Sequence, residues 1–110
     1  MITLNLLVLR CQDIEKTKLF YEKLLLSFVK EQHGKGAVHY ATTLGELVLE
    51  LYPLNGSCVD NNRLGFRVNG CKEILEDEEI EVVSQYSFDG QLRYVVVDPD
   101  GRRVEILEGR

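Results

Sequence analysis

Tryptophan is missing from this sequence, proline occurs only twice, and the three cysteines, Cys11, Cys58 and Cys71, form no CxxC pair. A short secreted chain would show an even set for a disulfide framework, so an odd set points to free thiols in a reducing compartment. No apolar run approaches the roughly 18 residues that a membrane helix needs. Nor does the N-terminus carry a basic stretch followed by an unbroken apolar core and a small-residue cleavage site. The expectation is a cytoplasmic protein with no membrane partner. Positive charge is scarce as well, since 13 Lys and Arg stand against 18 Asp and Glu for a formal net charge of −5. There is no basic stripe with interleaved aromatics, which removes the electrostatic footprint of a nucleic-acid binder. Much of the acidity falls between Glu73 and Glu81 at near-helical spacing, the pattern of a solvated face.

What remains is ordinary globular material. With 110 residues, 45% hydrophobic and 28% charged, the chain has room for one core, hence a single domain over residues 1–110. Ile2 to Cys11 is a nearly unbroken apolar run that reads as a buried strand. Asp13 follows as an N-cap, and Ile14, Thr17, Phe20, Tyr21, Leu24 and Phe28 recur at three- and four-residue steps, predicting an amphipathic helix over 13–27. Strands are predicted from Ser27 to Gln32, Ala37 to Thr43 and Glu46 to Tyr52, with a turn at His33-Gly34-Lys35-Gly36 and a reversal at Leu44-Gly45. Pro53 to Asn62 is the obvious linker.

Beyond the linker the pattern begins again. Arg63 to Val68 reads as a strand, Cys71 to about Glu79 as a short helix, and Glu81 to Phe88 and Leu92 to Asp98 as strands. Asp98-Pro99-Asp100-Gly101 then has the signature of a type I turn with Gly101 at the left-handed bulge position, leading into Arg102 to Leu107. Residues align between the halves as well: Leu7-Val8-Leu9-Arg10 matches Leu64-Gly65-Phe66-Arg67, and Leu49-Glu50-Leu51 matches Val104-Glu105-Ile106 at nearly the same offset. The expected fold is α+β, two βαβββ modules at about residues 1–54 and 63–110.

The first strand, Asp13-Ile14-Glu15-Lys16, Phe20-Tyr21, Leu49-Glu50-Leu51 and the terminal segment from Asp98-Pro99-Asp100-Gly101 to Glu105-Ile106-Leu107 together resemble the vicinal-oxygen-chelate superfamily. The resemblance spans nearly the whole chain, and its most specific part is the terminal segment. It implies two βαβββ modules paired into an incomplete barrel around a concave cleft, and a homodimer, as many members are. Members include glyoxalase I, extradiol dioxygenases, fosfomycin-modifying enzymes and bleomycin-binding resistance proteins. In the metal-dependent members a His or Gln on the first strand of each module and a Glu on the last hold the ion. Glu50 and Glu105 match the last-strand positions, but the first-strand positions fall at Leu6 and Arg63. Leucine offers no lone pair and arginine stays cationic, so a divalent metal is disfavoured and no cofactor is expected.

Strand alternation turns Leu7, Leu9, Cys11, Leu64, Phe66, Val68, Val104 and Ile106 toward the helices. Val8, Arg10, Val48, Glu50 and Tyr52, with Arg63, Arg67, Arg103, Glu105 and Leu107, then line the cleft. Arg10, Arg63, Arg67, Glu50, Glu105 and Tyr52 are therefore the candidate ligand-binding residues, with Arg10, Arg63, Glu50 and Glu105 converging. A two-residue loop at Leu44-Gly45 would set His39 directly opposite Glu50, a pair able to act as general base or acid if the protein is an enzyme. His33, in its Gly-Lys-Gly turn, reads as exposed. Two functions stay open. One is a metal-free binding protein like the bleomycin-sequestering members. The other is a glyoxalase-like lyase or isomerase that uses Glu50 or His39 on a small anionic substrate held by Arg10 or Arg63.

Overall fold

Each half of the chain builds a four-stranded sheet, and one core runs along the helix side of both. The computed structural model describes residues 1–109. The first module comprises β1 (Leu6–Cys11), α1 (Ile14–Lys23), β2 (Val29–Glu31), β3 (His39–Leu44) and β4 (Leu47–Pro53). The second comprises β5 (Leu64–Val68), α2 (Cys71–Leu75), β6 (Val82–Phe88), β7 (Gln91–Val97) and β8 (Arg103–Glu108). The strand orders are β1-β4-β3-β2 and β5-β8-β7-β6, with β1 parallel to β4 and β5 parallel to β8. These are two βαβββ units. The internal alignment is a structural repeat, because Val8 pairs with Glu50 and Arg10 with Tyr52 just as Gly65 pairs with Glu105 and Arg67 with Leu107.

Alternation decides the core. Leu9, Cys11, Leu49, Leu51, Val68, Val104 and Ile106 are buried against Phe20, Tyr21, Leu24, Cys71 and Ile74 of the helices. Each such aliphatic side chain contributes roughly 1.5–3 kcal/mol by leaving water. Helix α1 also reaches the second module: the Tyr21 ring lies 6.1 Å from Phe66, and its hydroxyl donates to Asp98 Oδ2 at 2.7 Å.

The elements depart from the sequence reading at four places, each for a local reason. Residues 1–5 form no strand, since β4 begins at Leu47 and the pairing with β1 closes at its first rung, where Val48 N–H bonds to Asn5 O at 3.0 Å. Helix α1 is capped by Asp13 as expected, Oδ1 accepting from the amides of Glu15 and Lys16, but it stops at Lys23 rather than 27. There Leu26 N–H bonds to Tyr21 O and Leu25 N–H to Glu22 O, a Schellman motif that puts Leu25 at φ 77°. No glycine advertised this ending. Helix α2 ends at Leu75 rather than about Glu79, because the Asp77 carboxylate takes the Glu79 amide at 2.9 Å and competes with helix continuation. The β3–β4 reversal uses Gly45-Glu46, with Leu44 paired to Leu47 and Gly45 at φ 62°, not Leu44-Gly45. The register therefore moves by two residues, which keeps every side chain on its expected face.

Among the described residues, no helix is long and apolar enough to cross a membrane.

Candidate functional site

The concave face of the first sheet carries a row of three side chains across neighbouring strands. Arg10 on β1 places its guanidinium 5.3 Å from the centre of the Tyr52 ring on β4 and donates to Pro53 O at 3.2 Å. From the β3 side the His39 ring stacks on Tyr52, centroids 4.1 Å apart and planes within 10°. Tyr52 is half-buried and His39 fully buried. Burial first, then the nearby Glu50 charge, push the Tyr52 hydroxyl above its ordinary pKa.

His39 does not stand directly opposite Glu50. The two-residue register change sets Ala41 opposite Glu50, and the strand partner of His39 on β2 is Glu31. Glu50 still reaches the imidazole along the diagonal, Oε2 lying 3.4 Å from His39 Nε2, while Glu31 Oε1 lies 3.2 Å from the same nitrogen. The other ring nitrogen, Nδ1, is 3.1 Å from the Ala37 carbonyl. His33 is exposed as expected, yet its ring is 5.2 Å from that of His39 and its Nε2 is 3.8 Å from Glu31 Oε1.

The second sheet holds a separate cluster. Arg63 bonds Glu105 Oε1 through both Nε, at 2.9 Å, and NH2, at 2.7 Å, and the Tyr86 hydroxyl donates to both carboxylate oxygens at 2.8 Å. Burial alone would raise the Glu105 carboxyl, but Tyr86 and Arg63 outweigh it and hold the group below its usual range. The hydrogen bond to Glu105 raises the Tyr86 hydroxyl in turn.

The expected convergence of Arg10, Arg63, Glu50 and Glu105 is thus two clusters. Among the described residues no hydrogen bond or ion pair joins Glu50 to Arg63 or Glu105. Each glutamate belongs to its own sheet, and among the described residues no strand of one sheet bonds to the other. Arg67 is exposed, and among the described residues its one polar partner is Gln91, at 3.5 Å.

The metal position of the resembled enzymes does not fit an ion here. Leu6 is half exposed without a donor atom, and the Arg63 guanidinium already satisfies Glu105, placing a cation where an ion would need a lone pair. A cavity of about 600 Å³ opens elsewhere, between α2 and β7, lined by Cys71, Leu75, Leu92 and Tyr94. Lys72, Glu76 and Glu108 also line it, and Glu108 accepts from the amides of Gly70 and Cys71.

Sequence reasoning missed Glu31, Tyr86 and Arg102. Glu31 and His33, two residues apart at the end of β2, offered a signal, but their meeting with His39 depends on the hairpin register. Arg102 stood only as the first residue of the predicted last strand, yet it is fully buried while Arg103 is exposed.

Solved structures match this chain along nearly its whole length. A lactoylglutathione lyase from Agrobacterium tumefaciens is 20% identical, with 97% of this chain and 93% of that one covered at a TM-score of 0.72. The oxidase ChaP-H1 is 17% identical, with 100% and 98% covered at 0.76. An integron cassette protein from the mobile metagenome of V. cholerae is 22% identical, with 98% and 95% covered at 0.72. No protein-family model and no curated protein matches the chain. At these identities the likeness is one of fold, and the fold is that of the vicinal-oxygen-chelate, or glyoxalase and bleomycin-resistance, proteins.

Proposed function

We propose that this protein binds a small, planar, cationic molecule on the concave face of the first sheet without transforming it, and that a second copy of the chain closes the cleft. The observation that carries this reading is the Arg10–Tyr52–His39 row. The stacked Tyr52 and His39 rings form an aromatic surface, and a flat cation binding there would take the place of the Arg10 guanidinium over the phenol ring. Glu50 and Glu31 border it with carboxylates, and a net charge of −5 favours the approach of a cation. Trapping of a cationic drug in a groove between two copies is what the resemblance to bleomycin-resistance proteins implies.

The outer strand supports the second copy. β6 is an edge strand exposed along its whole length, and it presents Val82, Val83, Tyr86 and Phe88 to solvent. An unpaired edge bearing apolar side chains is the kind of surface that self-association covers. Light scattering at tens of micromolar should give a dimer, and Phe88→Lys should shift it toward monomer. A monomeric parent protein removes this part of the reading.

One observation favours a second function, a lyase or isomerase acting on a small anion. His39 and Glu50, 3.4 Å apart on a half-buried face, form a pair able to move a proton beside the Arg10 guanidinium. A thermal-shift screen separates the two, because a ligand that binds only the folded state raises its melting point. Planar cationic antibiotics should raise it, with the effect lost in Tyr52→Ala. Shifts confined to keto acids and thiol conjugates, and lost in Arg10→Ala, would overturn the binding reading in favour of the enzyme.

A further inference from the structure

His39 presents its Nε2 to two carboxylates at once. Its Nδ1 faces the Ala37 carbonyl at 3.1 Å, and a carbonyl oxygen can only accept, so Nδ1 carries the hydrogen and a neutral ring keeps its lone pair on Nε2. That lone pair points at Glu31 Oε1, 3.2 Å away, and Glu50 Oε2, 3.4 Å away. Nε2 is therefore the position at which a proton or a metal ion can be shared with the two carboxylates, and the Tyr52 hydroxyl lies 3.4 Å from the same nitrogen. An imidazole whose far nitrogen is anchored to a backbone carbonyl is also how metal-ligating histidines are usually oriented.

A further donor is in reach. His33 follows Glu31 by two residues where the chain enters the His33-Gly34-Lys35-Gly36 turn, closed by the Gly36 N–H to His33 O bond at 3.0 Å. One ligand atom from each of Glu31, His33 and His39 lies within 4.8 Å of the others. Donors around a tetrahedral zinc stand about 3.3 Å apart, given bonds of about 2.0–2.1 Å. Within the group, His39 to Glu31 at 3.2 Å and His33 to Glu31 at 3.8 Å stand on either side of that value, and Glu50 lies 3.4 Å from His39.

We propose that Glu31, His33 and His39 bind a first-row divalent metal ion, zinc being the one that two imidazoles and a carboxylate suit best, with Glu50 bordering the site beside His39. The site lies within one module, on the β2–β3 hairpin. It is distinct from the inter-module position at which Leu6 and Arg63 stand, with only Glu50 adjoining both. It does not depend on the reading of the Tyr52 face as a ligand platform. It differs from the metal-free expectation because that expectation concerned the other position.

The test uses the metal alone. Full-length protein stripped with a chelator is titrated with cobalt(II), whose tetrahedral complexes absorb visible light strongly, and then with zinc as the displacing ion. The expected result is one ion per chain, a visible band that zinc removes, and at least a tenfold loss of affinity in His33→Ala and in Glu31→Gln. His33 is 74% exposed in its side chain, so His33→Ala should fold as the parent does, which circular dichroism checks. Glu105→Gln should bind as the parent does. Absence of a band at millimolar cobalt, or binding that survives His33→Ala and Glu31→Gln but is lost in Glu105→Gln, would overturn the proposal.

Discussion

Arg102 grips Asp60 through two parallel hydrogen bonds, Nε to Oδ2 and NH2 to Oδ1, each 2.7 Å long. The same guanidinium bonds Asp98 at 3.0 Å, Asp100 at 3.2 Å and the Arg10 carbonyl. Asp60 in turn accepts the Arg10 amide at 2.7 Å, and Asp100 accepts the Gln12 amide and the Thr17 hydroxyl at 2.8 Å each. The terminal hairpin of the second module is thereby fastened to the β1–α1 junction of the first. The Asp98-Pro99-Asp100-Gly101 segment, the most specific part of the sequence resemblance, serves this joint rather than the concave faces.

Removing the hub should be costly. Arg102→Met leaves Asp98 and Asp100 buried without their cation, and breaking a buried pair from one side costs about 3–5 kcal/mol. For a domain of this size that lowers the melting point by at least about 12 °C. Arg102→Lys should recover only part of the loss, since a single ammonium cannot reproduce the planar fork. Urea denaturation reads both, and a loss below about 1 kcal/mol in Arg102→Met would mean that the joint does not hold the modules together.

Acid should loosen the fold through Asp60 and Glu105. Burial works to raise both carboxyls, but Arg102 with the Arg10 amide, and Tyr86 with Arg63, overcome it and leave both below the ordinary range. A carboxyl depressed in the folded state binds fewer protons there than in the unfolded chain. Its contribution is complete above the unfolded value, near pH 4, and is lost as pH falls through the folded one. Stability measured from pH 6 downward should therefore fall most steeply below about pH 4. Asp60→Asn, less stable at pH 7, should lose less on acidification than the parent; an equal acid loss would remove Asp60 as a source.

Arg63→Ala should be mild by comparison. Its side chain is 54% exposed, and Glu105 keeps both bonds from Tyr86, so water replaces much of what the guanidinium gives. The expected cost is below about 1 kcal/mol at pH 7, measured by thermal or urea unfolding. A loss of about 3 kcal/mol would show that the pair is shielded from solvent, as a dimer closed over this face would make it.

Leu25 offers a gain. It holds φ 77° at the end of α1 with its side chain exposed, a conformation that glycine adopts freely and leucine does not. Leu25→Gly should stabilise by about 0.5–1 kcal/mol, the relief of left-handed strain outweighing the added freedom of the unfolded chain. A destabilised variant would mean that the leucine side chain contributes contacts larger than its backbone strain.

The sequence alone determined which elements form, in what order and with which face inward. Those properties follow from period-two and near-3.6 patterning, a capping aspartate and turn residues, all local in the chain. Alternation was robust even where the hairpin reading was two residues out, because a shift of two returns each side chain to the same face. The pairings of charges were another matter. Whether Glu50 meets His39 directly or along a diagonal, whether Glu31 and His33 join them, and which of two adjacent arginines is buried depend on register and on the approach of distant segments. Glu50 and Glu105 occupy equivalent places in the repeat but have different partners, a histidine and an arginine. Only the tertiary structure decided this, since a charge takes whichever opposite group the fold brings within a few ångströms, and that distance is not written in any local pattern.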